Sequence, residues 1–267
     1  MADDFSVLRG MKYSGRGITL GATPSGNQFV GYSLTGRSSS SQARKLVYDE
    51  QAGVIRTDVT DETQLERGSP ALLIYPAIAF GNEMFVASNG AQTKLVYARA
   101  VRTAETPEKV LRDAFDWPVL EYDTKDKRWI DITTYEPDDP NFTPRISACL
   151  DGICGEAGFH ITRKEGLLKR HQEIHTFKLN PGEGRVITTY LGGNENPLLP
   201  FVGAPLRVQI QSESAQEIAE SIYDSIRGGE KPEDNFRVAA AVAMTGPRGI
   251  EVVIINREIT YGVRKKE

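Results

Sequence analysis

Cysteine and histidine are scarce in this chain, with two and three residues among 267. Cys149 and Cys154 cannot make a disulfide framework, and their spacing lacks the second pair that completes a structural zinc site. Both read as buried thiols. His171 and His175, at i and i+4, have the spacing to share a helix face, but only His160 is left as a further imidazole. The run Lys169-Arg170-His171-Gln172-Glu173-Ile174-His175 reads as a solvated charged segment, so neither a metal nor a cofactor is expected. Long apolar runs are absent too: no stretch approaches the roughly 20 residues that cross a bilayer. Met1-Ala2-Asp3-Asp4-Phe5 carries no apolar signal core, so a cytoplasmic protein without a membrane partner is expected. An excess of positive charge is missing as well. Thirty-two basic against 36 acidic residues give a net charge of −4, which disfavours a general nucleic-acid binder. Any anionic ligand must therefore be held locally.

What is present is an ordinary globular composition, 39% apolar and 25% charged, long enough for one large domain or two small ones. Nothing demands two, and a single domain over 1–267 is expected, with 1–12 as an N-terminal extension. Gly15–Gly21 and Asn27–Leu34 are strand-like runs joined by Thr23-Pro24-Ser25-Gly26, where proline fixes φ and glycine admits positive φ. Further strands are expected at Lys45–Tyr48, Gly53–Thr57, Ala71–Tyr75, Glu83–Ala87 and Gly249–Asn256. Thr106–Phe115 has an N-cap residue, proline at the first position and apolar residues at 110, 111, 114 and 115, which predict a helix. Ser214–Arg227 predicts another, with Ile218, Ile222 and Ile226 spaced by four and Gly228-Gly229 as the stop. Phe236–Met244 fits a helix or a buried strand equally. Tyr122–Phe142, charged and proline-rich, reads as a long loop. Hairpins and helices without βαβ alternation argue for an α+β fold.

The run Gly36-Arg37-Ser38-Ser39-Ser40-Ser41-Gln42-Ala43-Arg44 sets four hydroxyls and an amide between two guanidiniums, a composition suited to an oxyanion such as phosphate. The same composition also describes a flexible surface loop. Three segments taken in order give it a context. Tyr13-Ser14-Gly15-Arg16-Gly17-Ile18-Thr19-Leu20-Gly21 leads on to Gly36-Arg37-Ser38, then come Val86–Thr93 with Ser88-Asn89-Gly90, and finally Tyr135-Glu136 and Phe142-Thr143-Pro144-Arg145-Ile146-Ser147-Ala148. In this order the chain resembles the archaeal-type inosine monophosphate (IMP) cyclohydrolases, over most of residues 13–150 and again in the alanine-rich Val238–Met244.

The resemblance implies a four-layer αββα sandwich similar to the N-terminal-nucleophile hydrolases but without a terminal nucleophile. Met1-Ala2 agrees, offering no Ser, Thr or Cys for that chemistry. It implies closure of 5-formamidoimidazole-4-carboxamide ribonucleotide to IMP, with a purine ribonucleotide as substrate; separately, a homo-oligomer is the expected assembly. Tyr75, Glu136 and Arg37 are the expected catalytic residues. Arg16, Ser38, Gln42, Arg44, Asn89 and Arg145 are expected to bind substrate. Two departures stand out: the family's later loop arginine falls at Gln42, with Arg44 two residues on, and its Asn-Thr-Pro-Arg reads Phe142-Thr143-Pro144-Arg145, with Asn141 one place earlier. The stretches 116–133 and 163–176 look like additions of this chain. Two other readings remain open, an amidohydrolase of different substrate on the same scaffold and a non-catalytic purine-nucleotide-binding module.

Overall fold

The computed structural model describes residues 3–60, 62–63, 73–102, 105–166, 169–229 and 231–257. The fold is α+β, mostly antiparallel sheet with few helices. The predicted hairpin forms as β1 (Arg16–Ala22) and β2 (Gln28–Thr35). Its turn closes with Gly26 at φ 94° and Thr23 N donating to Asn27 O at 2.9 Å. After it come β3 (Arg44–Asp49), β4 (Val54–Val59), β5 (Pro76–Gly81), β6 (Met84–Ser88), β7 (Leu120–Asp123), β8 (Arg128–Asp131), β9 (Arg145–Asp151) and β10 (Glu156–Glu165). The chain continues through β11 (Lys169–Lys178), β12 (Glu183–Thr188), β13 (Leu206–Gln209), β14 (Arg237–Gly246) and β15 (Gly249–Asn256). Six strands form one sheet in the order β13-β12-β1-β2-β14-β15. Seven form another in the order β11-β10-β9-β6-β5-β4-β3.

Among the described residues, three of the four apolar clusters tie the sheets and helices together. The largest draws Ile18, Leu20, Tyr32 and Ala241 from the first sheet and Ile55, Ile78, Phe85 and Ile146 from the second. A helix over Ala215–Ser225, capped by the Ser214 hydroxyl, buries Ile218 and Ile222 against Phe29, Val186 and Val242 of the six-stranded sheet. A helix over Pro107–Ala114 has Thr106 as its cap. With a second helix over Thr93–Ala100, it packs Val96, Val110 and Leu111 against Val86 and Cys149 of the other sheet.

Several expectations are corrected. No strand runs through Leu73–Tyr75; the strand begins at Pro76, and Ala71 and Leu72 lie outside the described residues. An apolar run does not by itself choose a strand, whereas proline, lacking an N–H, suits a first strand position. The expected long loop overlaps the hairpin of β7 and β8, with an Asx turn in which Asp123 Oδ1 accepts from Lys125 N. Phe236–Met244 resolves as strand, because β14 is inserted between β2 and β15. His171 and His175 stand on β11, not on a helix, and flank Glu173 on one face. Cys149 is buried but Cys154 is exposed at the turn after β9.

Candidate functional site

A cavity of ≈ 370 Å³ opens where the ends of β1, β2 and β3 meet the loop before β9 and the chain after β12. Its chemistry is set by Arg16, Arg37, Ser38, Arg44, Glu136 and Asp138 on the wall, with Tyr13 and Tyr190 as aromatic surface. Two glycines make this approach possible. At Gly15, with φ 73°, a Cβ would lie 2.7 Å from the Tyr190 ring, so only glycine lets Arg16 enter β1 beside it. At Gly36 a Cβ would meet the Ser41 backbone at 2.5 Å, and its absence lets the serine run fold back.

That run is less free than its composition implies. Ser38 caps a single helical turn over Ser39–Gln42: its hydroxyl accepts from Ser41 N at 3.2 Å, while Ser41 Oγ accepts from Ser38 N at 3.2 Å. These two hydroxyls are engaged as a capping box. Arg37 lies 5.0 Å from the Tyr13 ring centre and donates from Nη1 to Asn194 Oδ1 and Glu195 O. Arg44 donates to Ser41 O at 3.0 Å and Thr35 O at 3.2 Å and faces the cavity. Gln42 turns back instead, its amide donating to Gly36 O. Of the two residues that compete for the family's later loop arginine, Arg44 is the one on the wall.

Glu136 is the centre of the buried charge. Arg16 Nη2 donates to its Oε1 at 2.9 Å, and Arg145 Nη1 lies 3.7 Å from the same oxygen. Burial raises the Glu136 pKa above the usual carboxylate range, against the opposing pull of Arg16 and Arg145. For Arg16, burial acts to lower the pKa, but Glu136 and the phenols of Tyr75, Tyr190 and Tyr32 outweigh it, so the guanidinium stays charged. Arg145 is lowered, burial outweighing Glu136.

Three more of the expected residues stand back from the wall. Tyr75, just ahead of β5, is buried with its phenol 3.1 Å from that of Tyr32. Asn89 spends its whole side-chain amide on protein: it donates to Pro144 O and Thr189 Oγ1 and accepts from Gln92 Nε2 and Ile146 N. Arg145 donates to Gln92 Oε1 at 2.9 Å behind Glu136. The Phe142 departure also has a physical account. Phe142, at φ 43°, packs edge-on to Tyr135 with the Lys164 ammonium over its ring, while Asn141 takes a place on the wall and accepts from Leu198 N at 3.0 Å.

Tyr190, Asp138 and Thr143 also lie on the wall, and the sequence does not mark them: Asp138 is one acid among several in a loop, and Thr143 sits between Phe142 and Pro144 with no chemistry of its own to single it out. Tyr190 precedes Leu191-Gly192-Gly193, a turn-like signal that says nothing of chemistry.

The profile of the family described as IMP cyclohydrolase-like protein matches residues 13–246. Curated relatives named IMP cyclohydrolase come from methanogenic archaea. One from Methanocaldococcus jannaschii is 26% identical over 244 residues, which cover 90% of this chain and 97% of that protein. One from Methanococcus maripaludis strain C7 is 28% identical, covering 79% of this chain and 88% of that protein. The match to the strain S2 protein, also 28% identical, spans 52% of this chain and 58% of that protein. With the family profile spanning every strand but β15 and every residue on the cavity wall, the chain belongs to the IMP cyclohydrolase-like protein family.

Proposed function

We propose that this chain is an IMP cyclohydrolase, closing 5-formamidoimidazole-4-carboxamide ribonucleotide to IMP with loss of water. The observation that carries the reading is the buried Arg16–Glu136 pair on the wall of a cavity that also presents Arg37, Ser38 and Arg44. Both reacting groups belong to one substrate molecule, so holding them in contact supplies much of the acceleration, about 7–11 kcal/mol at best. The carboxamide nitrogen attacks the formyl carbon, and negative charge gathers on the formyl oxygen. Arg16, charged and desolvated, is the group to meet it; one well-placed donor is worth about 2.7–4 kcal/mol. Glu136, its pKa raised by burial, takes a nitrogen-bound proton and returns it to the departing oxygen. Arg37 and Arg44, at the serine turn, bind the phosphate with Ser38.

The residues behind the wall hold this arrangement. Asn89 and Arg145 fix Arg16 and Glu136 through Asn89 O, which accepts from Arg16 Nη2 at 3.3 Å, and through the Gln92 amide. Tyr75 and Tyr32 back Arg16 from the core. The three apolar clusters support reading the fold as a four-layer αββα sandwich like that of the N-terminal-nucleophile hydrolases. Cytoplasmic residence and assembly with further copies of the chain belong to the same proposal. The test is direct: purified protein is incubated with the formamido precursor and followed by ultraviolet absorbance. Conversion to IMP is expected; no turnover at high enzyme concentration with authentic substrate overturns the reading.

A further inference from the structure

Overall, ring closure removes one proton from each of two nitrogens, the carboxamide and the formamido group, and delivers both with the formyl oxygen as water. Either one group serves both nitrogens in turn, giving up the first proton before it takes the second, or two groups serve one nitrogen each. Among the described residues the cavity wall carries two carboxylates, Glu136 and Asp138. Glu136 has its place beside Arg16; Asp138 is reached through a different chain of groups.

Thr143 Oγ1 donates to Asp138 Oδ2, and Thr143 N donates to Asp138 Oδ1 at 2.6 Å. The Tyr190 phenol lies 2.7 Å from Thr143 Oγ1. A hydroxyl has one proton, and that of Thr143 is directed at the carboxylate, which only accepts. The hydrogen bond between Tyr190 and Thr143 must then run from the phenol to the threonine. This direction leaves the lone pairs of Tyr190 Oη for a donor in the cavity. The ring is held for that task, stacked on Tyr13 with centres 5.7 Å apart.

Resting on the cyclohydrolase reading, we propose that Tyr190 is a catalytic residue: its phenol oxygen accepts one substrate N–H, and Thr143 and Asp138 are the positioning residues that form its proton outlet. The balance is explicit. As one substrate N–H bond breaks, that proton passes to Tyr190 Oη, the phenol proton passes to Thr143 Oγ1, and the threonine proton passes to Asp138. The electron pair of the broken N–H bond forms the C=N bond as the C–O bond to the formyl carbon breaks. Glu136 has by then returned the first proton to that oxygen, so it departs as hydroxide and becomes water when the proton on Asp138 comes back through Thr143 and Tyr190. No oxidant or co-reactant enters.

The experiment measures kcat and KM for ring closure in the wild type and in Tyr190→Phe, Thr143→Ser and Thr143→Val, with a melting curve for each. Tyr190→Phe is expected to lower kcat about 100-fold, the scale of a lost proton-transfer group. Its KM should stay within about threefold, since an interaction made in the transition state is removed. Thr143→Ser, which keeps the hydroxyl, should retain turnover, and Thr143→Val should lose it as Tyr190→Phe does. A Tyr190→Phe enzyme with wild-type kcat overturns the proposal, as does a folded Thr143→Val that matches Thr143→Ser. If Thr143→Val does not fold, Tyr190→Phe decides alone. A wild type without turnover fails the cyclohydrolase reading itself, and this role with it.

Discussion

Two clusters in this molecule are built from the same kinds of side chain and end in opposite states. In the cavity, Glu136 meets Arg16 and Arg145; on the outer strand pair, Glu173 of β11 meets Arg163 at 2.6 Å, His171 at 2.9 Å and His175 at 3.4 Å. The Glu136 side chain is 6% exposed and that of Glu173 24%. Hydrogen bonds, that from Arg163 foremost, lower the Glu173 pKa from 4.5 to about 2, whereas burial raises that of Glu136 in spite of two arginines. Two cationic neighbours therefore do not make a carboxylate acidic once solvent is removed from it. Glu173 is an anion clasping two strands, whereas burial opposes the charged form of Glu136.

The largest expected effect follows from breaking the buried member. Glu136→Gln keeps shape but cannot take a proton, and kcat should fall about 1000-fold, within the range of general acid–base catalysis. A melting curve separates this from unfolding; equal loss of stability and turnover would mark Glu136 as structural. A smaller effect is expected at the cavity mouth. Arg37→Ala removes a charge-assisted hydrogen bond of about 1.5–3 kcal/mol, so KM should rise about tenfold or more with kcat held, read from initial rates. A fall in kcat at constant KM would move Arg37 into the reacting centre.

The smallest effect belongs to the outer cluster. Glu173→Gln should leave kcat and KM alone and cost less than about 1 kcal/mol in denaturant unfolding, as expected of a partly exposed ion pair. Its pH dependence has a definite sign. The folded-state pKa is depressed, so the stabilisation is complete above the unfolded value near 4.5 and is lost as pH falls through about 2. The stability difference between wild type and Glu173→Gln should shrink across that window. A difference that grows on acidification contradicts the assignment.

Much of this contrast was legible before the fold, but unevenly. The β1–β2 hairpin follows from Pro24 and Gly26, and both longer predicted helices from their Thr106 and Ser214 caps, because these are local effects written within a few residues. The alanine-rich β14 was undecidable locally: alanine favours helix, and insertion between β2 and β15 overrides it. Strands β9 to β13 passed without a local signal strong enough to name them. In the site, Arg16, Arg37, Ser38, Arg44 and Glu136 came from motif order and do share a wall. Tyr190 did not, because its meaning depends on Thr143 and Asp138, about 50 residues earlier, brought to it only by the packing of two sheets. Asn89 shows the converse: an amide that invites a ligand role in the sequence is fully engaged once its neighbours are placed.

The central claim is that burial makes Glu136 the proton-transfer group, and the pH dependence of kcat/KM for ring closure tests it most directly. The account predicts an ascending limb whose midpoint lies above the ordinary glutamate value of 4.5, present in the wild type and absent from the residual activity of Glu136→Gln. A wild-type profile with no such limb, or the same limb surviving in Glu136→Gln, would contradict it.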